Sequence, residues 1–265
     1  FMGENTPNKE LSRVENKKLL SRRGFLGLLG AGFLAAFLIR GRSNNQEINW
    51  PQGRLTDTQK EKLYLTSLTY LAPSEEKARE VIRRIKLSEG GNMKDLSLSN
   101  ICGALTILIL KDSGLVDKST SVRDFWRWDS SEINGRIESD LSRNGYTRIS
   151  VKESIGTFDF KTYPLQPGDL LILYAGNNGN FQHMIAVNRA DTQGRVYAVS
   201  NIYGYNDVEG YTIEELMLYD PKQPGEGQFY KWTEDKYKGG RYVGLTGDGG
   251  FDLWRKIGGI STPAG

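Results

Sequence analysis

Cysteine and histidine are the scarcest reactive side chains in this chain of 265 residues, which contains one of each. A single cysteine excludes a disulfide within the chain, and one cysteine with one histidine cannot supply four Cys/His ligands to zinc. The same count excludes sites that need two histidines, such as the helical H-E-x-x-H zinc motif. Any cysteine–histidine chemistry must therefore use Cys102 and His183, and we expect neither a metal nor a cofactor.

Outside residues 1–42, the chain also lacks a strong excess of positive or negative charge. The whole chain has 35 basic and 32 acidic residues and a formal net charge of +3. Residues 1–42 hold eight Lys/Arg and three Glu, which leaves 27 basic and 29 acidic residues in the rest. The body of the protein is thus slightly acidic, and we expect no nucleic acid among its partners.

Long apolar runs are absent apart from one, which is short for a membrane helix. It occupies residues 24–39, and a helix of that length spans about 24 Å against a hydrocarbon core of roughly 30 Å. Residues 1–42 are therefore interpreted as a signal or anchor segment, in which residues 24–39 form the hydrophobic region of an export signal. If the segment is not cleaved, the same run can anchor the chain in a membrane.

The residues in front of this run resemble the twin-arginine export signal, S-R-R-x-F-L-K. Residues 21–26 read S-R-R-G-F-L, and Gly27 stands where the consensus has Lys. The resemblance implies export of the folded protein to the periplasm or another extracytoplasmic place. An ordinary basic membrane-anchoring segment is the alternative interpretation.

The rest of the chain divides by pattern into a linker, a helical segment and a larger domain. Residues 43–55 are polar and turn-rich, which is typical of a linker. Residues 56–92 contain two helical patterns, interpreted as an N-terminal cap, and residues 93–260 form the main domain. That domain begins with an apolar helix and a further helical stretch. Strand patterns follow at 169–175, 181–189, 194–201, 213–219, 241–246 and 251–257. Helices followed by an antiparallel meander predict an α+β fold with N-terminal helices packed on an antiparallel β-sheet.

Three polar residues of this domain are placed where cysteine chemistry needs them. Cys102 starts the apolar helix, where the helix dipole favours thiolate and free N–H groups can stabilise an oxyanion. His183 lies within a predicted strand, and Asn201 ends the next one, where its side-chain oxygen can orient the imidazole. Each residue taken alone is more often structural: a small buried hydrophobe, a half-buried polar residue and a turn residue. Their joint order along the chain favours a catalytic interpretation.

Three short motifs around these residues resemble the papain-like fold, more narrowly the NlpC-type and CHAP-type cysteine hydrolases of bacterial cell envelopes. They are N-I-C-G at 100–103, P-G-D-L-L at 167–171 and Q-H-M-I-A-V at 182–187. The resemblance covers roughly residues 96–202 and implies that 93–260 is a papain-like hydrolase domain. It implies Cys102 as nucleophile, His183 as general base and Asn201 as the orienting third residue. Such enzymes attack an amide carbonyl, protonate the leaving amine and hydrolyse the acyl-enzyme.

The motifs depart from the family pattern at the site itself. NlpC-type enzymes usually have Asp-Cys-Ser-Gly, and their third residue is often His. Papain has an upstream Gln in its oxyanion hole, whereas this chain has Leu96 six residues before the cysteine. Ser99 or Asn100 would have to replace it, and Gln182 is a further candidate for substrate or oxyanion contact.

The sequence therefore predicts an exported cysteine hydrolase that cleaves an amide bond, with peptidoglycan or a peptide as substrate. A non-catalytic cell-envelope binding module on the same fold is the first alternative, favoured by the altered cysteine motif and the missing Gln. A thiol acyltransferase with the same Cys–His pair is the second, and no further apolar segment marks a lipid site for it.

Overall fold

The computed structural model describes residues 48–126, 131–176, 181–204, 209–234 and 246–258, and the chain from Asn49 onward forms one compact unit. In these ranges the helices are α1 (Asp57–Leu68), α2 (Glu75–Ser88), α3 (Cys102–Asp112), α4 (Ser131–Arg143) and α5 (Gln228–Glu234). The strands are β1 (Tyr146–Val151), β2 (Leu170–Ala175), β3 (Phe181–Ala190), β4 (Val196–Tyr203), β5 (Tyr211–Tyr219) and β6 (Thr246–Lys256). Within the same ranges, no helix is long and apolar enough to cross a membrane.

The six strands form one antiparallel sheet in the order β1-β6-β2-β3-β4-β5. The predicted α+β class with an antiparallel sheet is thus confirmed. The predicted meander holds from β2 to β5, whereas β6 lies between β1 and β2. The last strand of the chain therefore sits inside the sheet, with a neighbour on each side to pair its main chain.

One face of the sheet is covered by the first three helices. α3 contacts β3 and β4, while α1 and α2 pack against α3 and the sheet. Leu105, Ile107 and Leu108 point in different directions from α3, yet all three are buried because the helix has the sheet on one side and helices on the other. Met184 of β3 belongs to the same core.

The opposite face carries an aromatic cluster beneath α5. Phe160 stacks on Tyr219 with ring centroids 4.9 Å apart, and Phe158 meets Phe251 edge-to-face at 5.2 Å. Phe229 of α5 contacts the same group and is fully buried. Among the residues that the structure describes, two cores on the two faces of one sheet bury most of the large apolar side chains.

The segment 49–55, expected from its composition to be part of a linker, is bound against the domain. Arg255 of β6 is fully buried and donates to the carboxylate of Asp169 at 2.8 and 2.5 Å. Its Nη1 also donates to the main-chain oxygen of Pro51 at 2.7 Å. Trp50 lies against the same guanidinium group, with the ring centroid 5.0 Å from Cζ. A charge that is buried in this way needs all of these partners.

Several predicted element boundaries change in the structure. The first helical pattern of residues 56–92 forms α1, which ends at Leu68 and is capped by the side chain of Thr56, accepting from the N–H of Gln59 at 3.2 Å. The further helical stretch that the sequence predicts after the apolar helix covers residues 121–143; it begins with turns up to residue 126, and α4 starts at Ser131. Nearly all of the predicted strand 241–246 lies outside the described residues.

Candidate active site

Cys102 is the first residue of α3 and follows a 3₁₀ turn at Leu98–Asn100. It is buried, with 6% of its surface exposed, and its sulfur accepts a hydrogen bond from the N–H of Met184 on β3. One turn further along α3, Thr106 donates to the main-chain oxygen of Met184 at 3.2 Å. Burial raises the pKa of the thiol to about 11, because lost hydration outweighs the N–H groups that face the sulfur.

The start of α3 lies beside the part of the sheet where the central strands β3 and β4 are not paired. In the described strands, β3 pairs with β4 only from Val187 to Ala190, next to an irregularity in the register. On its other side β3 remains paired with β2 as far as Phe181. The hydrogen bonds at Met184 therefore place the sulfur of Cys102 at the edge of a gap between β3 and β4.

His183 borders the same gap from the other side of the sheet. Met184 packs in the core with α3, so the preceding side chain on the strand points to the opposite face. There the ring meets Trp232 of α5 edge-to-face, with centroids 4.9 Å apart. Its Nε2 lies 2.8 Å from Oγ of Ser200 on β4, so the imidazole spans from β3 to β4. Burial lowers the pKa of the imidazole to about 4, which makes it neutral at pH 7.

The described residues contain no hydrogen bond between the sulfur of Cys102 and the ring of His183. The sulfur instead contacts the main chain of the residue that follows His183. Both groups are uncharged at neutral pH, because burial moves their pKa values away from 7 in opposite directions. The structure thus brings the two predicted residues to one gap as a thiol and a neutral imidazole, not as an ion pair.

Asn201 does not contact His183, although the sequence pattern predicts it as the orienting residue. Its Nδ2 donates to the main-chain oxygen of Leu98 at 2.9 Å, on the α3 side of the sheet. Its Oδ1 is buried and has no partner among the described residues. Successive residues of a strand face opposite sides, so the position facing His183 falls to Ser200, one residue earlier.

Ser99 and Asn100, two of the three proposed oxyanion and substrate residues, lie next to Cys102 in sequence and have hydrogen-bond partners within the turn. Ser99 and Asn100 are exposed, and Oδ1 of Asn100 accepts from the N–H of Ser97 at 2.8 Å. The hydroxyl groups of Ser99 and Ser97 lie 2.9 Å apart. Gln182 is exposed on β3. The side chains in the turn therefore stabilise the turn itself, and main-chain N–H groups at the start of α3 are the better oxyanion donors.

Ser200 and Trp232 contact His183 but carry no signal in the sequence that identifies them. A serine beside an asparagine at a strand end is not distinctive, and choosing between them requires the register of β4. Trp232 is one of five tryptophans in the chain. Its contact with His183 depends on how α5 packs on the sheet, which local sequence does not encode.

Comparison of the chain with family models, with curated proteins and with solved structures found no match. Among the residues that the structure describes, no group of three or more His, Cys, Asp and Glu side chains is placed to hold a metal ion.

Proposed function

We propose that the protein is an exported cysteine hydrolase of the papain-like type that cleaves an amide bond in peptidoglycan. Cys102 is the nucleophile and His183 the general base. One observation supports this above all others: the only sulfur nucleophile accepts a hydrogen bond from Met184, the residue directly after the only histidine. The two side chains border one gap in the sheet although 81 residues separate them.

The neutral state of both groups favours general-base catalysis over a preformed ion pair. His183 removes the proton from the thiol while the sulfur forms a bond to the carbonyl carbon. The imidazolium then gives this proton to the leaving nitrogen as the C–N bond breaks. Water attacks the thioester with His183 as base again, which releases the acid and the free thiol. Hydrogen bonds of this kind often form only when substrate is bound, so a longer resting separation is compatible with the mechanism.

A second polar group at the site also supports a bound ligand there. The side-chain oxygen of Asn201 is buried without a partner, and the same side chain holds Leu98 in the turn before Cys102. Buried polar atoms without a partner are rare in folded proteins and destabilise them. A substrate amide N–H would satisfy this oxygen.

A non-catalytic envelope-binding module on the same fold is the second candidate function. It is favoured by the absence, among the described residues, of a hydrogen bond between Cys102 and His183. The raised pKa of the thiol favours it as well, since a thiolate is rare at neutral pH. In this case Cys102 and His183 have a structural role only, and the protein binds its ligand without cleaving it.

Digestion of purified peptidoglycan and of a peptide library, with products analysed by mass spectrometry, separates the two functions. The hydrolase predicts new products with the wild type and none with Cys102→Ala. Ser113→Ala is the matched control, because Ser113 is a buried small polar residue at the opposite end of α3. Binding to peptidoglycan without any product from the wild type would support the binding module instead.

Export belongs to the same proposal and has its own test. The twin-arginine pattern at residues 21–26 supports a location outside the cytoplasm. Replacing both Arg22 and Arg23 by Lys should leave the protein in the cytoplasmic fraction of an expressing bacterium, while the unchanged chain is exported. Equal export of both chains would contradict the twin-arginine route.

A further inference from the structure

We propose that Ser200 is the positioning residue of His183, accepting a hydrogen bond from Nε2–H, while Asn201 holds the turn that leads into Cys102. This inference rests on the proposed function, because it assigns the residue that prepares the base. It assigns to Ser200 the orienting role that the sequence pattern gave to Asn201.

Ser200 is buried beside the imidazole of His183. Its side chain is almost fully buried, with 1% of the residue exposed, and its Oγ lies 2.8 Å from Nε2 of His183. The bond crosses from β4 to β3 in the part of the sheet where these strands do not pair. Trp232 packs against the same ring in a T-shaped arrangement. The imidazole is thus held by a polar contact at one nitrogen and by an apolar contact on its surface.

The contact with Ser200 bears on the tautomer of His183. A neutral imidazole carries one N–H donor and one acceptor nitrogen, and the partner of one nitrogen determines the other. If Oγ of Ser200 accepts from Nε2–H, then Nδ1 keeps its lone pair. Nδ1 is the ring nitrogen nearer the main chain of His183, which continues directly into Met184, the residue whose N–H faces the sulfur of Cys102. In this tautomer the free lone pair of Nδ1 can take the thiol proton.

Asn201 is bound to a different part of the chain from His183. Its Nδ2 donates to the oxygen of Leu98, a residue 103 positions earlier in the chain. It lies on the side of β4 that faces α3, whereas the ring of His183 lies on the side that faces α5. Contact with the imidazole would require this buried side chain to give up Leu98 and cross the sheet.

The protein offers a direct test, because it has one histidine and therefore one imidazole signal. The full chain is labelled with ¹⁵N-histidine, and the ring nitrogen shifts report tautomer and protonation against pH. The wild type should show the Nε2–H tautomer at neutral pH. Ser200→Ala should populate both tautomers, Ser200→Thr should restore the wild-type pattern, and Asn201→Ala should leave the tautomer unchanged.

Kinetics supply the second arm of the test. Ser200→Ala should lower kcat for peptidoglycan digestion at least tenfold with little change in KM, and Ser200→Thr should recover most of the loss. A wild-type Nδ1–H tautomer, or an unchanged spectrum in Ser200→Ala, would overturn the assignment of Ser200. Equal digestion by the wild type and Cys102→Ala would overturn the proposed function instead, so the two failures are distinguishable. The wild-type tautomer also decides the matter if Ser200→Ala does not fold.

Discussion

The sulfur of Cys102 accepts a hydrogen bond from the main-chain N–H of Met184. This contact fixes the beginning of α3 at the gap between β3 and β4, where the imidazole of His183 lies on the other side. It also keeps the thiol away from solvent. The reactivity of Cys102 is therefore controlled by the sheet that it packs against.

Alkylation by iodoacetamide should be slow in the native protein at pH 8. Burial raises the pKa of the Cys102 thiol from 9.0 to about 11, so the thiolate fraction at this pH is about a hundredfold lower than in the unfolded chain. The rate is measured from pH 7 to 11 with and without urea, and the lack of a second cysteine makes the signal unambiguous. Equal rates in the native and unfolded protein would contradict the buried position.

Acid should destabilise the protein partly through His183. Its folded pKa of about 4 lies below the unfolded value of 6.5, so the unfolded state binds more protons between these values. The contribution is fully present above pH 6.5 and is lost as the pH falls towards 4, by at most about 3 kcal/mol. Urea unfolding at pH 7 and 4.5 should show a smaller loss for His183→Gln than for the wild type. Identical pH dependence would show that the imidazole is hydrated in the folded state.

Removal of the Arg255 side chain should destabilise the fold strongly. Arg255→Gln leaves the carboxylate of Asp169 buried without its charged partner, and breaking such pairs costs about 3–5 kcal/mol. Arg79→Gln is the control, since the pair of Arg79 with Glu75 is largely exposed and worth about 1 kcal/mol or less. Urea unfolding measures both. Similar losses from the two variants would contradict the anchoring role of Arg255.

Asn201→Asp should lower the free energy of unfolding more than Asn201→Ala does. Asn201→Ala removes the bond to the oxygen of Leu98 and should cost about 1–3 kcal/mol. Asn201→Asp should cost more, because an ionised carboxylate would face that oxygen without a proton to donate. A residue that oriented His183 would show the reverse, since a carboxylate orients imidazole well. Unfolding free energies of both variants, measured at pH 7, decide between these roles.

The sequence predicted the elements of this protein better than their arrangement. The apolar run after Cys102 and the alternating runs around His183 are local signals, and the helix and strands lie where these signals indicate. The position of β6 inside the sheet depends on pairing with β1, about a hundred residues away. No local pattern encodes that choice.

The residue that contacts His183 could not be predicted from local sequence either. Predicting Ser200 over Asn201 as the partner of His183 requires the register of β4, and an irregularity between Val187 and Arg189 shifts that register. The binding of segment 49–55 was missed for a related reason. The groups that hold it come from Arg255, about 200 residues further along the chain.

Release of new amino groups from purified peptidoglycan shows whether Cys102 cleaves an amide bond. The wild type and Ser113→Ala should release them at similar rates, while Cys102→Ala should release none above the background without enzyme. Release by Cys102→Ala at the wild-type rate would mean that Cys102 is not the nucleophile, and a folded wild type that releases none would mean that the protein does not hydrolyse amide bonds of peptidoglycan.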